Sequence, residues 1–204
     1  LGEARVEELT RVEFFTSHEG LSLLYESAQT RTVPRREGHY NLSTHLPWIG
    51  ERTRQIGGAH VEYFRGIRNP VGIKIGGTTS PEEVRELVGV LNPSAERGKI
   101  VLITRLGATR AKDRIPELVR AVRACGSPVL WVCDPMHGNT VSTPSGLKTR
   151  SFDAIRTELE TTYDALRASG AHLGGIHVEL TGEDVTECVG GATDITEDNL
   201  HTNY

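Results

Sequence analysis

Between positions 71 and 180, short apolar runs closed by polar residues and glycine alternate with stretches whose apolar residues fall at helical spacing. The runs 71–75, 99–104, 128–133 and 175–180 are near-continuous in apolar residues, which predicts strands of a parallel sheet covered by helices. Between the first two runs, Ser80-Pro81-Glu82-Glu83 offers an N-cap, a proline at the first helical position and a capping-box glutamate. That helix runs to about Leu91, where Asn92-Pro93 stops it. A helix over 115–124 is closed by Gly126. A longer one over 152–168 has an apolar face of Ile155, Leu159, Tyr163 and Leu166 and ends at Gly170.

Upstream, Val12-Glu13-Phe14-Phe15-Thr16 predicts one more strand and 21–29 its helix. Residues 30–57, rich in His, Pro, Gly and Arg, read as an irregular segment within the same single domain, 1–204. The result is about five βα units. That is either part of a (β/α)8 barrel, which typically needs about 250 residues, or an open doubly wound sheet.

In such folds the chemistry gathers where strands run into polar residues at their carboxyl ends. Two strand ends are notable: Asp134-Pro135-Met136-His137-Gly138-Asn139-Thr140, and Gly175-Ile176-His177-Val178-Glu179-Leu180. His137 and Glu179 are residue types that hold a divalent metal, although a lone His after a strand is as readily structural. Two ligands are fewer than a catalytic ion usually takes. Cys133 and Asp134 stand nearby as further candidates or as supporting and packing residues.

Lys74 lies between Ile73 and Ile75 in a chain with four lysines. Inside an apolar strand its ammonium must be paired, exposed at the strand end, or functional. Arg105 occupies the equivalent place one unit later, either in an ion pair or, with Lys74, in an anion site suited to carboxylate or phosphate. Glu51 and Arg52 belong to a charged tetrad that is either a solvated face or a pocket wall. Lys148 and Arg150 read as a solvated loop, and Glu183, Asp184 and Glu187 as the acidic first turn of a helix.

Composition narrows the picture. Over 204 residues the net charge is -4 and 25% of residues are charged. This argues against a basic nucleic-acid footprint, and no apolar run approaches the roughly 20 residues of a membrane span. Three scattered cysteines suit a reducing, cytoplasmic compartment. The chain opens with Leu1 and its one methionine is Met136, as expected of a processed or incomplete chain.

Long segments also resemble a known family. Trp48-Ile49-Gly50-Glu51-Arg52-Thr53-Arg54-Gln55, Asn69-Pro70-Val71-Gly72-Ile73-Lys74, Leu102-Ile103-Thr104-Arg105, Trp131-Val132-Cys133-Asp134-Pro135-Met136-His137-Gly138-Asn139-Thr140 and His177-Val178-Glu179-Leu180-Thr181-Gly182 are similar to the plant-type (class II) 3-deoxy-D-arabino-heptulosonate 7-phosphate (DAHP) synthases. The resemblance covers essentially the whole chain from near Glu13. It implies a (β/α)8 barrel of TIM type, here incomplete. It also implies the first step of the shikimate pathway, a condensation of phosphoenolpyruvate with erythrose 4-phosphate that releases phosphate and needs a divalent metal, manganese or cobalt.

By the same resemblance His137 and Glu179 are metal ligands, and Glu51, Arg52, Lys74 and Arg105 form the phosphoenolpyruvate site, with Lys74 the candidate proton donor. The family's further Cys and Asp ligand motifs are not found here. The expectation is therefore an internal piece spanning roughly the third to seventh strands of an enzyme that is homo-oligomeric when full length. The alternative is a truncated, non-catalytic chain that binds phosphoenolpyruvate or a partner chain without turnover.

Overall fold

The computed structural model describes residues 13–183 and 185–201. Its centre is a six-stranded sheet in which every neighbouring pair is parallel. In spatial order the strands are β1 (Ser17–Glu19), β4 (Leu46–Ile49), β5 (Val71–Gly76), β6 (Ile100–Arg105), β7 (Val129–Cys133) and β10 (Leu173–Ile176). Helices α2 (Ala59–Gly66), α3 (Pro81–Leu91), α4 (Ala111–Ala124) and α5 (Phe152–Ala168) connect and cover it. This is an incomplete (β/α)8-type barrel, which the family resemblance implies and which is one of the two architectures the strand pattern left open.

Strand alternation sorts the side chains into two faces. Val71, Ile73 and Ile75 of β5, and Ile100 and Leu102 of β6, pack in one core with Val84, Leu87, Val88 and Leu91 of α3 and Ile115, Leu118 and Val119 of α4. Gly72, Lys74 and Gly76 therefore face the other way, and register places Lys74 beside Ile103 and Gly76 beside Arg105. The cap of α3 forms as its sequence predicts, with Ser80 Oγ accepting from the Glu83 amide at 3.1 Å. Helix α4 begins a turn earlier than the 115–124 pattern suggests. The amide of Ala111 already donates to the Gly107 carbonyl, and Pro116 is carried inside the helix.

Other boundaries differ for physical reasons. Val12 of the expected first strand lies outside the described residues, and the strand falls at Ser17–Glu19, where Leu46, Pro47 and Trp48 offer a partner. The segment 30–57 is not irregular throughout. It holds a hairpin of β2 (Thr30–Thr32) with β3 (His39–Asn41) after α1 (Leu23–Gln29), and also β4, a strand inside the main sheet. Pro47 and the polar residues around it conceal that strand in a periodicity reading.

Strand β10 ends at Ile176, so Glu179 is not on it. A register shift interrupts pairing between Leu173 and Gly175, and just past the strand the His177 amide bonds the Cys133 carbonyl at 2.7 Å. The acidic stretch after Gly182 is no helix among the described residues (Asp184 lies outside them). It leads into β11 (Cys188–Val189), which pairs with β9 (Lys148–Ser151), itself paired with β8 (Val141–Ser142). No described helix is long and apolar enough to cross a membrane.

At the opposite end of the sheet, Lys99 is 8% exposed and donates to the carbonyls of Ile67 (2.5 Å) and Asn69 (2.8 Å). Burial pushes its pKa down to about 8. Between pH 8 and about 10.4 the unfolded chain thus holds more of this proton than the folded one, so folding stability should rise with pH across that window. Urea titrations at pH 7.5 and pH 10 should show a gain of about 2–3 kcal/mol in the parent over Lys99→Met. Parallel behaviour of the two proteins would contradict the burial of this charge.

Candidate active site

Three strand ends converge on one buried ion pair. Lys74 is 4% exposed and Asp134 fully buried, and the ammonium donates to Asp134 Oδ2. The same Nζ lies 4.7 Å from the centroid of the Trp48 ring, a cation–π contact. Lys74 is therefore paired within the sheet interior and does not reach out to solvent.

Asp134 also holds His137. Its oxygens lie 2.8 and 2.9 Å from Nδ1, and Oδ1 accepts from the amides of Met136 (3.1 Å) and His137 (3.2 Å). Burial alone would raise the Asp134 carboxyl, but the His137 bond and the Lys74 ammonium overcome it and hold the group well below the usual carboxylate range. For Lys74, burial pushes the pKa down while Asp134 opposes it.

With Nδ1 tied to a carboxylate, His137 Nε2 is the free edge of the ring, and it lies 3.2 Å from Glu179 Oε1. The two groups face the same end of the sheet and are close enough to share an ion. A carboxylate behind a ligating imidazole fixes its tautomer and raises its basicity, so the pair suits a divalent cation. Among the described residues no group of three or more His, Cys, Asp or Glu side chains gathers around one point. Among the described residues, His137 and Glu179 are the two donors that face each other here.

The arginine side of the site is organised by Glu51. Its Oε2 accepts from Arg105 Nη1 at 2.9 Å, and Oε1 lies 3.8 Å from Nη1 of the buried Arg54. Arg54 is in turn anchored to Thr79 Oγ1 at 2.9 Å and Glu83 at 3.1 Å. Arg105 Nη2 donates to the His137 carbonyl at 3.2 Å, and Arg105 Nε is buried without a partner.

Glycines make these approaches possible. A Cβ on Gly76 would lie 2.3 Å from Glu51 Oε1, and one on Gly72 would lie 2.6 Å from Trp48 Cβ. A Cβ on Gly138 would meet the Gly107 amide nitrogen at 2.5 Å, and Gly107 itself has φ +84°. The loop carrying Arg105 and the turn carrying His137 are therefore in backbone contact.

All six residues singled out from the sequence, Glu51, Arg52, Lys74, Arg105, His137 and Glu179, line one cavity of about 620 Å³. Arg52 stands exposed at its rim. Sequence reasoning passed over Trp48, which floors the site, and treated Asp134 as one nearby option, although it joins Lys74 to His137. The polar triplet spacing from Asp134 to His137 was the available signal. Lys148 and Arg150, read as a solvated loop, also line the cavity. Arg150 is 7% exposed and pairs with Glu187 at 2.7 Å. His177 packs edge-on against Trp48, their ring centroids 5.7 Å apart, and burial pushes its pKa down to about 4.

Comparison with known proteins identifies a family. The model of the class-II DAHP synthetase family matches residues 1–204. The chain belongs to that family. Family relatives carrying the name phospho-2-dehydro-3-deoxyheptonate aldolase include one from Streptomyces coelicolor, 50% identical over 97% of this chain, and one from Neurospora crassa, 46% identical over 100% of it. The AroG protein of the same name from Mycolicibacterium smegmatis is 47% identical over 96%. The chain spans 43–46% of the length of these class-II relatives.

Proposed function

We propose that this chain carries the phosphoenolpyruvate-binding wall and two metal ligands of a 3-deoxy-7-phosphoheptulonate synthase. That enzyme condenses phosphoenolpyruvate with erythrose 4-phosphate and releases phosphate. The observation that carries the reading is the single cavity in which Lys74 and Arg105 stand beside the facing His137 and Glu179.

Phosphoenolpyruvate brings a carboxylate and a phosphate, and Arg52, Lys74 and Arg105 supply the counter-charge. A guanidinium binds such groups as a fork, a lysine as a point charge. Glu51 and the His137 carbonyl each take one N–H of Arg105, leaving each terminal nitrogen a second N–H to offer the substrate. His137 and Glu179 would hold the ion, manganese or cobalt, with Asp134 fixing the imidazole. Such an ion supplies Lewis acidity at a carbonyl or water oxygen. Lys74, its pKa lowered by burial against the opposing pull of Asp134, is suited to hand a proton to the oxygen that becomes a hydroxyl when the aldehyde is attacked.

A second reading is binding of phosphoenolpyruvate without turnover. It rests on the cation cluster alone, which can take a carboxylate or phosphate before any ion is present. Calorimetric titration with phosphoenolpyruvate, followed by a phosphate-release assay with both substrates and manganese on this chain and on a version extended at both ends, separates the two readings. Arg105→Ala should weaken binding about 10–100-fold, the loss of one charged hydrogen-bonded pair. Undiminished affinity in that variant would remove the proposed anion site. Binding with no phosphate released would leave the second reading.

A further inference from the structure

We propose that Glu158, on the outer helix α5, is a positioning residue that locks the Arg105 loop and the His137 turn into one register. This rests on the reading of Arg105 and His137 given above. The side chain is 0% exposed and lies in the helix–sheet layer, where its neighbours along the helix face, Thr162, Ala165 and Leu166, are buried as well. A carboxylate there is expensive unless fixed donors meet it, and its donors come from the site loops. Oε1 accepts from the amide of Leu106, the residue after Arg105, at 2.7 Å. Oε2 accepts from Asn139 Nδ2, two residues beyond His137, at 2.7 Å.

Asn139 extends the clamp. Its Oδ1 accepts from the Ala108 amide at 3.0 Å, and its Nδ2 also donates to the Pro135 carbonyl at 2.8 Å. One carboxylate and one amide thus brace both sides of the glycine contact between Gly107 and Gly138. Burial, with a smaller push from the Asp134 carboxylate, raises the Glu158 carboxyl above its ordinary value against the pull of the Gly107 and Leu106 amides and the Asn139 side chain. An apolar residue would pack in this layer without cost, but it would leave the Leu106 amide and the Asn139 side chain unanswered.

The test is Glu158→Gln. The side chain keeps its shape but gains an amide group, so one donor–donor conflict remains in whichever orientation Gln and Asn139 adopt. Hydrogen exchange followed by mass spectrometry should show peptides 104–109 and 135–140 exchanging at least ten-fold faster, with β5 unchanged. Affinities for phosphoenolpyruvate and for manganese should each fall about ten-fold, well below the melting temperature. A merely structural role predicts faster exchange spread over the whole sheet with both affinities kept, and that outcome would overturn the proposal. So would unaltered exchange in the two peptides. Asn139→Ala carries the same measurement if Glu158→Gln does not fold. If the parent chain binds neither phosphoenolpyruvate nor manganese, the proposed function falls, and the local exchange pattern alone decides the role of Glu158.

Discussion

Asp134→Ala is expected to lower folding stability by about 3–5 kcal/mol, the cost of stranding a buried charge. Lys74 is 5% exposed in its side chain, and no other carboxylate is within ion-pair distance of its Nζ among the described residues. A domain of ordinary stability has 5–15 kcal/mol to lose, so the variant should melt far below the parent. Joint replacement has a different consequence. Lys74→Met with Asp134→Leu removes both charges, and well-packed apolar residues often replace a buried pair at little net cost. In a urea titration the double variant should recover the part of the loss that comes from the stranded ammonium, but not the part from the Met136 and His137 amides that lose their Asp134 acceptor, and it should still fail to bind phosphoenolpyruvate. A single variant as stable as the parent would mean the pair is solvated; a double variant that binds normally would mean the lysine is not part of the site.

His137→Ala should have the largest effect on chemistry. The imidazole is held at Nδ1 by Asp134 and faces Glu179 at 3.2 Å, so its Nε2 is the atom this variant removes from the proposed ion site. In a protein carrying the complete ligand set, manganese affinity should drop at least 100-fold and phosphate release should fall to background. Glu179→Ala should do the same less completely, because a carboxylate 62% exposed can be replaced by water. Manganese bound normally by His137→Ala, read from the paramagnetic signal of the free ion, would sink the ligand assignment. Stability should change little in either variant, since neither side chain is buried in the apolar core.

Much of this site was legible in the linear sequence because parallel strands all point one way. Once 71–75, 99–104 and 128–133 read as successive strands, their carboxyl ends had to meet, and Lys74, Arg105 and His137 with them. Helix α3 was legible because Ser80 and Pro81 announce it chemically. Strand β4 was not. It is four residues long with a proline second, and it owes its place to two neighbours that pair with it rather than to its own pattern. The role of Asp134 was hidden for a related reason. Its partner Lys74 is 60 residues away, and only the register between sheet neighbours brings the two side chains together. Glu158 gave no sequence signal, since an acidic residue on an amphipathic helix ordinarily faces water.

The strand that bears Lys74 has hydrogen in place of a side chain on either side of it along the inner face. At Gly72 even a methyl would push the indole away from the ammonium, and at Gly76 it would drive the Glu51 carboxylate off the guanidinium it steadies. Efforts to retune ligand preference by mutating the floor of this pocket therefore have almost no room at those two positions. Productive variation has to come from the rim, at Arg52, where the side chain stands exposed and added bulk meets solvent.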